Sequence, residues 1–336
     1  MAKRHKKNTI VGLDLGTSSV KLVELTCKAE NLTMAACAYI PVEDPSLYDI
    51  AIKAAIKTAT TKAKRVVVGF SGKSTLLQDI TLPNGHDDNL DEAVAEEVAK
   101  YIPYDVSEAQ IDYHAFEDGD NQTRLLLAAV RQQDVDDKLE ILFNAGVTPI
   151  QIDVELVALA NAAETANIGE EFFPEGKGVG IVNFGASKTL ITITDGKYSV
   201  FREFPVGGIA LTEMISQRVG CAMTAAEQIK LVPGDKMDLV KDAIYPGLED
   251  IAAEIQSCLD SYKNASRGRK AEKLLLSGGL IAFPGIVALF TRMTKTEASV
   301  FNSFGPAIIS KGAEGVMEAH GHEMAVAFGL ACHARD

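Results

Sequence analysis

The chain has 336 residues, which at roughly 100–200 residues per domain allows two domains or one bilobed unit with a sizeable core. Hydrophobic residues at 47% and charged residues at 24% are a globular composition, excluding wholesale disorder, collagen-like repeats and coiled-coil rods. With 33 basic against 46 acidic residues the net charge is −13, which opposes neutralisation of many phosphates, so no nucleic-acid partner is expected.

Residues 1–7 form a basic tail without the apolar run of a signal peptide, and no later stretch approaches the ~20 apolar residues of a membrane span. The plainer reading of the tail is a solubilising segment; contact with anionic lipid is the alternative. From Asn8 to Ile40 three apolar runs, TIVGLDLG, SVKLVELT and LTMAACAYI, predict a β-meander. A helix follows from Pro45 with apolar residues at helical spacing, then a strand at Arg65–Phe70. Within residues 75–147, Asn89 and Glu92 suggest a capped acidic helix to Tyr101. Asp112–Phe116 and Arg124–Arg131 read as paired strands, and a helix over Asp134–Ala145 stops at Gly146. A further helix is expected over Asp153–Ala166, with Phe172–Lys177 as a linker.

Beyond the linker the opening pattern returns. An offset of 169 positions sets Asp14 on Asn183, Leu15 on Phe184, Gly16 on Gly185 and Ser18 on Ser187, each pair at the turn between apolar strands. Thr189–Thr194 and Tyr198–Phe204 complete a hairpin around Asp195-Gly196. Residues 212–270 read as helical, Ala271–Ser277 as a buried strand ending in Gly278-Gly279, and Glu323–Ala334 as the last helix. The five cysteines lack a CxxC pair and read as small core residues in a reducing compartment. His320-x-His322-Glu323 lacks metal-ligand spacing and reads as a loop entering the last helix.

Three glycine turns carry the chemistry. In Asp14-Leu-Gly-Thr-Ser-Ser-Val-Lys21, glycine allows close backbone approach, amides and hydroxyls can hold phosphate oxygens, and Asp14 can hold hydrated magnesium. Alone, an ordinary glycine turn with a surface Asp explains this segment equally well. The second copy, Asn183-Phe-Gly-Ala-Ser187, weighs for phosphate, since it can grip the same group from the other side. Ser277–Gly285 can place backbone against a purine, or be a plain strand-to-helix turn.

These turns resemble the two phosphate motifs and the adenosine motif of the actin-like ATPase superfamily, which includes actin, sugar kinases, DnaK-type chaperones, FtsA and MreB. Within it the sequence resembles the PilM family, cytoplasmic actin-like proteins of type IV pilus assembly. The resemblance rests on VGLDLGTSSVKLVEL at 11–25, YIPYDVSEAQIDYH at 101–114, NAGVTPIQIDVELVALANA at 144–162 and FREFPVGGIALTEMI at 201–215, and extends over the whole chain. It implies an α/β, actin-like (ribonuclease H-like) duplicated fold of two lobes with an FtsA-like inserted subdomain. The first core would comprise 8–74 and 148–171, the inserted small α/β subdomain 75–147, the second core 178–211 and 271–336, and a helical subdomain 212–270.

The resemblance further implies ATP and Mg2+ as cofactors. Asp14, Gly16, Thr17, Ser18 and Lys21 match its first phosphate loop, with Asp14 also toward the metal; Gly185, Ala186 and Ser187 match the second. Gly207 and Gly208 fall at its Gly-Gly turn, Gly278 and Gly279 at its adenosine motif, and Glu227 with Lys230 at a pair that reaches ribose and adenine. A plain i,i+3 surface pair is the alternative for Glu227 and Lys230. Glu155 lies where MreB-like relatives carry a water-positioning acid, a candidate catalytic base. Asn183 stands where the second loop ordinarily has Asp, which implies weaker magnesium organisation and at most a slow ATPase.

The partner implied is the N-terminal peptide of a PilN-like single-pass inner-membrane protein, held between the first core and the inserted subdomain, with the segment after Pro83 and residues 101–116 as groove candidates. Pilus motor or platform proteins, or those of a related type II secretion system, are further partners. The location implied is cytoplasmic, peripheral on the inner membrane through these partners. An FtsA- or MreB-like filament protein is the alternative, although the chain closes on Gly329–Asp336, where no FtsA-type amphipathic anchor is expected. An actin-fold small-molecule kinase would need a catalytic Asp facing an acceptor hydroxyl, and none is discernible.

Overall fold

Runs of β-branched and aliphatic residues, buried almost continuously in the first two, build the opening strands β1 (Asn8–Leu15), β2 (Ser19–Lys28) and β3 (Asn31–Pro41), paired antiparallel in order. In the computed structural model, residues 8–28, 31–60, 65–83, 90–118, 122–166, 177–305 and 307–334 are described. The basic tail, Asn89 and the linker residues 172–176 lie outside them. The chain divides into two compact units, one formed by Met1–Gly69 with Pro149–Asp336, the other by Phe70–Thr148.

In the first unit, helix α1 (Tyr48–Thr58) returns the chain so that β4 (Val66–Phe70) lies parallel to β1. Every residue of β4 is buried, as a central parallel strand requires. The second half repeats the pattern with β9 (Lys177–Phe184), β10 (Thr189–Thr194), β11 (Ser199–Phe204) and β12 (Lys270–Gly278), and β13 (Glu297–Val300) lies parallel to β12 at the edge. One sheet carries the order β3-β2-β1-β4 and the other β11-β10-β9-β12, the same meander with a parallel fourth strand beside its first. The sequence repeat is therefore a repeat of topology.

Between β11 and β12 lie α5 (Gly208–Val219), α6 (Met223–Leu231) and the long α7 (Met237–Ala265). The helical run thus begins at Gly208, ahead of the expected Thr212. Ile244, Ile251, Ile255 and Tyr262 of α7 lie in one core cluster with Phe184 and with Phe290 of α8 (Ile286–Thr294). Burial pushes the thiols of Cys37 and Cys258 up to about 11, as expected of inert core cysteines.

Further boundaries differ from the sequence reading. Gln151–Val154 forms β8 at the edge of the first sheet, beside β4, so α4 (Glu155–Thr165) begins at Glu155 rather than Asp153. The last helix, α10 (Ala325–Ala331), is shorter than expected and ends in a 3-10 turn. Residues 308–334, counted with the second core in the sequence reading, pack on the first sheet. β14 (Ile308–Ile309) pairs with β3, and α9 (Glu314–His320) and α10 pack on the first sheet. Close approach drives this placement. A Cβ on Gly12 would stand 2.1 Å from Ala327 O, and one on Gly329 would stand 1.8 Å from Ala158 O, so α10 lies on β1 and α4 through bare glycine backbone.

The second unit is a three-stranded antiparallel sheet in the order β5 (Leu76–Pro83), β7 (Gln122–Arg131), β6 (Ala109–Asp118). Ile80, Leu82, Leu125 and Leu127 meet Val94 and Val98 of α2 (Leu90–Val98) to form its core. Helix α3 (Gln132–Asn144) follows β7 directly. β5 was not anticipated from the sequence, because Asp79 interrupts its pattern. The structure explains the interruption: Arg124 Nε on β7 bonds both Asp79 oxygens at 2.8 and 3.0 Å, compensating a half-buried charge.

Candidate functional site

The two repeated hairpins make the same turn. Gly16 N donates to Ser19 O at 3.0 Å in the first, and Gly185 N donates to Lys188 O at 2.9 Å in the second. The tips meet across a cleft, with Thr17 Oγ1 and Ser187 Oγ 2.8 Å apart. The cleft, of about 370 Å³, is lined by Ser18, Lys21 and Tyr39 on one side and by Asn183, Gly185, Ala186, Gly208, Glu227, Lys230, Gly278 and Gly279 on the other. That volume is within the usual range for a small-molecule site.

Antiparallel register puts Asp14 opposite Lys21, and the carboxylate Oδ2 lies 3.1 Å from the ammonium. Asp14 is buried, just behind the lining of the cleft. Burial alone would lower the Lys21 pKa, but the carboxylates of Asp14 and Glu323 outweigh it and the net shift is upward. Lys21 is therefore a fixed positive charge in the cleft. Tyr48 donates to Gly16 O at 2.8 Å and so braces the first loop.

The second loop is fastened by the start of α5: Gly208 N donates to Gly185 O at 2.9 Å and Ile209 N to Ala186 O at 2.8 Å. Gly207 lies behind this loop and not in the lining, where a Cβ would come within 2.5 Å of Lys188 N and 2.6 Å of Gly185 O. Helix α5 has no side-chain N-cap and no acid in its first turn, while Gly208 and Ile209 line the cleft. Its first two amides are occupied by the loop carbonyls, so what the helix end adds to the cleft is the positive end of its dipole. Asn183 pairs in register with Ser277 of β12, whose hydroxyl donates to Asn183 Oδ1 at 3.0 Å.

Lys230 is buried at 5% exposure, which excludes the plain surface pair. Its ammonium donates to Gly208 O at 3.0 Å, Thr212 Oγ1 at 2.7 Å and Glu227 Oε2 at 2.7 Å. Thr212 also hydrogen-bonds Glu227. Glu227 is thus held at the cleft wall by two partners on its own lobe.

Glu155 stands apart from the cleft lining. It is buried at the first residue of α4, with Oε2 3.7 Å from Lys188 Nζ, and Lys188 also pairs with Glu203 at 3.1 Å. The segment at 319–323, expected to be a plain loop, instead lines the cleft. His320 stacks on Tyr39 with ring centroids 3.9 Å apart and planes 1° apart, and its Nδ1 lies 3.0 Å from Glu323 Oε1. Burial and Glu323 together push the Tyr39 pKa up, and burial holds His322 below its ordinary value. His320, His322 and Glu323 are carried to the cleft by pairing and packing of their segment on β3, where they meet Tyr39 of that strand, so local spacing gave no signal for them. Among the described residues no group of three or more His, Cys, Asp or Glu side chains could hold a metal ion, and no helix is long and apolar enough to cross a membrane.

Comparison with known proteins adds the family. The family model for the type IV pilus assembly protein PilM matches residues 12–335. The solved structure of a PilM-PilN type IV pilus biogenesis complex aligns at TM-score 0.82 with 26% identity, covering 97% of this chain and 98% of that one. The ethanolamine utilization protein EutJ from Carboxydothermus hydrogenoformans aligns at TM-score 0.53 with 15% identity, covering 97% and 89%, a likeness of fold alone. The duplicated meander, the paired hairpins and these alignments describe one architecture, the actin-like α/β fold. The chain belongs to the PilM family of type IV pilus assembly proteins.

Proposed function

We propose that this protein binds ATP with magnesium between its two hairpin loops and docks the N-terminal peptide of a PilN-like single-pass inner-membrane protein. The nucleotide reading is carried by one observation, the 2.8 Å approach of Thr17 and Ser187 at the tips of two equivalent glycine turns. Two such turns present amides and hydroxyls to one polyphosphate, with Lys21 and the α5 N-terminus supplying positive charge. Gly278, Gly279, Glu227 and Lys230 form the wall for the nucleoside.

The residues present fit magnesium as a hard ion that keeps waters and takes one or two carboxylates alongside substrate phosphates. Asp14 would be its one protein carboxylate, and it would arrive with the phosphates. When bound, the ion would neutralise phosphate charge. With Asn183 bonded to Ser277 and Glu155 outside the lining, hydrolysis is slow at most. The protein then acts as a nucleotide-dependent assembly element at the cytoplasmic face of the inner membrane, in a type IV pilus platform, where lobe closure would alter partner contacts.

The PilN-like partner is supported by the solved complex of a PilM relative with PilN. Residues 101–116 of the second unit are the candidate groove segment. Titration calorimetry with Mg-ATP, together with capture of a synthetic N-terminal peptide of the PilN-like protein with and without ATP, tests both halves. Absence of ATP binding rejects the cleft assignment; absence of peptide capture under either condition rejects the docking assignment.

A further inference from the structure

A second groove, of about 440 Å³, lies between α7 and α8 of the first unit, with residues distinct from those of the nucleotide cleft. Leu248 of α7 and Phe283, both nearly fully buried, give it an apolar floor, while Tyr245 is 39% exposed at its rim. Ala288 of α8 also lines it, and its methyl leaves room above that floor.

Its electrostatics oppose those of the whole chain. On a protein of net charge −13, the groove carries Lys241 from α7 and Arg292 from α8 against the single acid Asp242. Among the described residues neither cation has an ion-pair partner. The N-terminus of α8 opens into the same groove at Gly285, with no side-chain cap and no acid in its first turn. Two unpaired cations and an uncapped helix end therefore surround an apolar floor. Carboxylates next to an apolar side chain complement this arrangement. A groove of this volume suits one or two side chains of a linear segment.

We propose that this groove docks a short acidic segment of a partner protein, seating an aromatic or aliphatic side chain on Leu248 and Phe283 and its flanking carboxylates against Lys241, Arg292 and the α8 N-terminus. The test is panning of a random peptide library displayed on phage against the full chain, with Ala288→Trp, which fills the groove, and the double variant Lys241→Glu/Arg292→Glu as comparators. Circular dichroism and thermal melting verify that both variants fold. Selected peptides should share an apolar residue flanked by Asp or Glu. The best of them, labelled and followed by fluorescence anisotropy, should weaken by about tenfold or more against each variant and with rising salt. No enriched peptide, a consensus without acids, or equal binding to wild type and Ala288→Trp would overturn the proposal. If either comparator unfolds, Leu289→Lys replaces it, and peptide binding unchanged in that variant counts equally against the groove.

Discussion

Lys21 Nζ and Asp14 Oδ2 form a largely buried ion pair at 3.1 Å, at the cleft wall, between directly opposed residues of β1 and β2. Removing one member leaves the other charged and partly desolvated, a change that costs about 3–5 kcal/mol in fully buried pairs and less here, where Lys21 faces the cleft. Asp14→Ala should therefore abolish ATP binding measured by calorimetry and lower the melting temperature. Asp14→Asn keeps the shape and separates the two effects: it should lose most ATP affinity with a smaller loss of stability. A folded Asp14 variant with undiminished affinity for ATP would remove the phosphate-loop assignment.

Asn183 occupies the position equivalent to Asp14 in the second hairpin, and its Oδ1 already accepts a hydrogen bond from Ser277. An aspartate there can accept the same bond while adding a negative charge toward a phosphate-bound magnesium ion. Asn183→Asp should raise steady-state ATP turnover, with stability little changed. Turnover that stays flat or falls shows that position 183 does not limit hydrolysis.

The ammonium of Lys230 has three N–H bonds, and protein acceptors occupy all three. Lys230 is then a positioning residue that aims Glu227, and Glu227 is the group left to meet a ribose hydroxyl. A hydrogen bond to a charged group contributes about 1.5–3 kcal/mol, or roughly ten- to hundredfold in affinity. Glu227→Ala should narrow the preference for ATP over 2′-deoxy-ATP by that order, and Lys230→Met should do the same without any change at position 227. A preference unaltered in Lys230→Met, measured by calorimetry with both nucleotides, would leave the lysine a purely structural role.

What the sequence revealed follows from how local each signal is. The hairpins at Gly16 and Gly185 were legible because a glycine turn between two apolar strands is a contiguous pattern, and its recurrence ties two distant segments together. β5 was hidden because Asp79 makes sense in a strand only when Arg124 stands on the neighbouring one. Lys230 looked like half of a surface pair because i,i+3 spacing says nothing about what covers the side chain. His320 and Glu323 read as part of a plain loop for a similar reason. Their segment reaches the cleft through β14 pairing on β3 and α10 settling onto Gly12, contacts spanning hundreds of residues.

His322 yields a pH prediction through the same segment. Burial is the largest influence and lowers its pKa, His320 adds to the lowering, and Glu323 opposes it. The folded state thus binds this proton less readily than the unfolded chain, whose imidazole titrates near the ordinary value of about 6.5. Stability from this residue is fully present above that value, and it is lost as pH falls through the depressed folded pKa. Thermal melts of the wild type should drop as pH is lowered from about 7 toward 5, and His322→Gln, which cannot protonate, should drop less over the same range. The difference between the two curves reports His322 together with its coupling to His320 and Glu323. Superimposable pH dependences would show that the imidazole is equally easy to protonate in the folded and unfolded states.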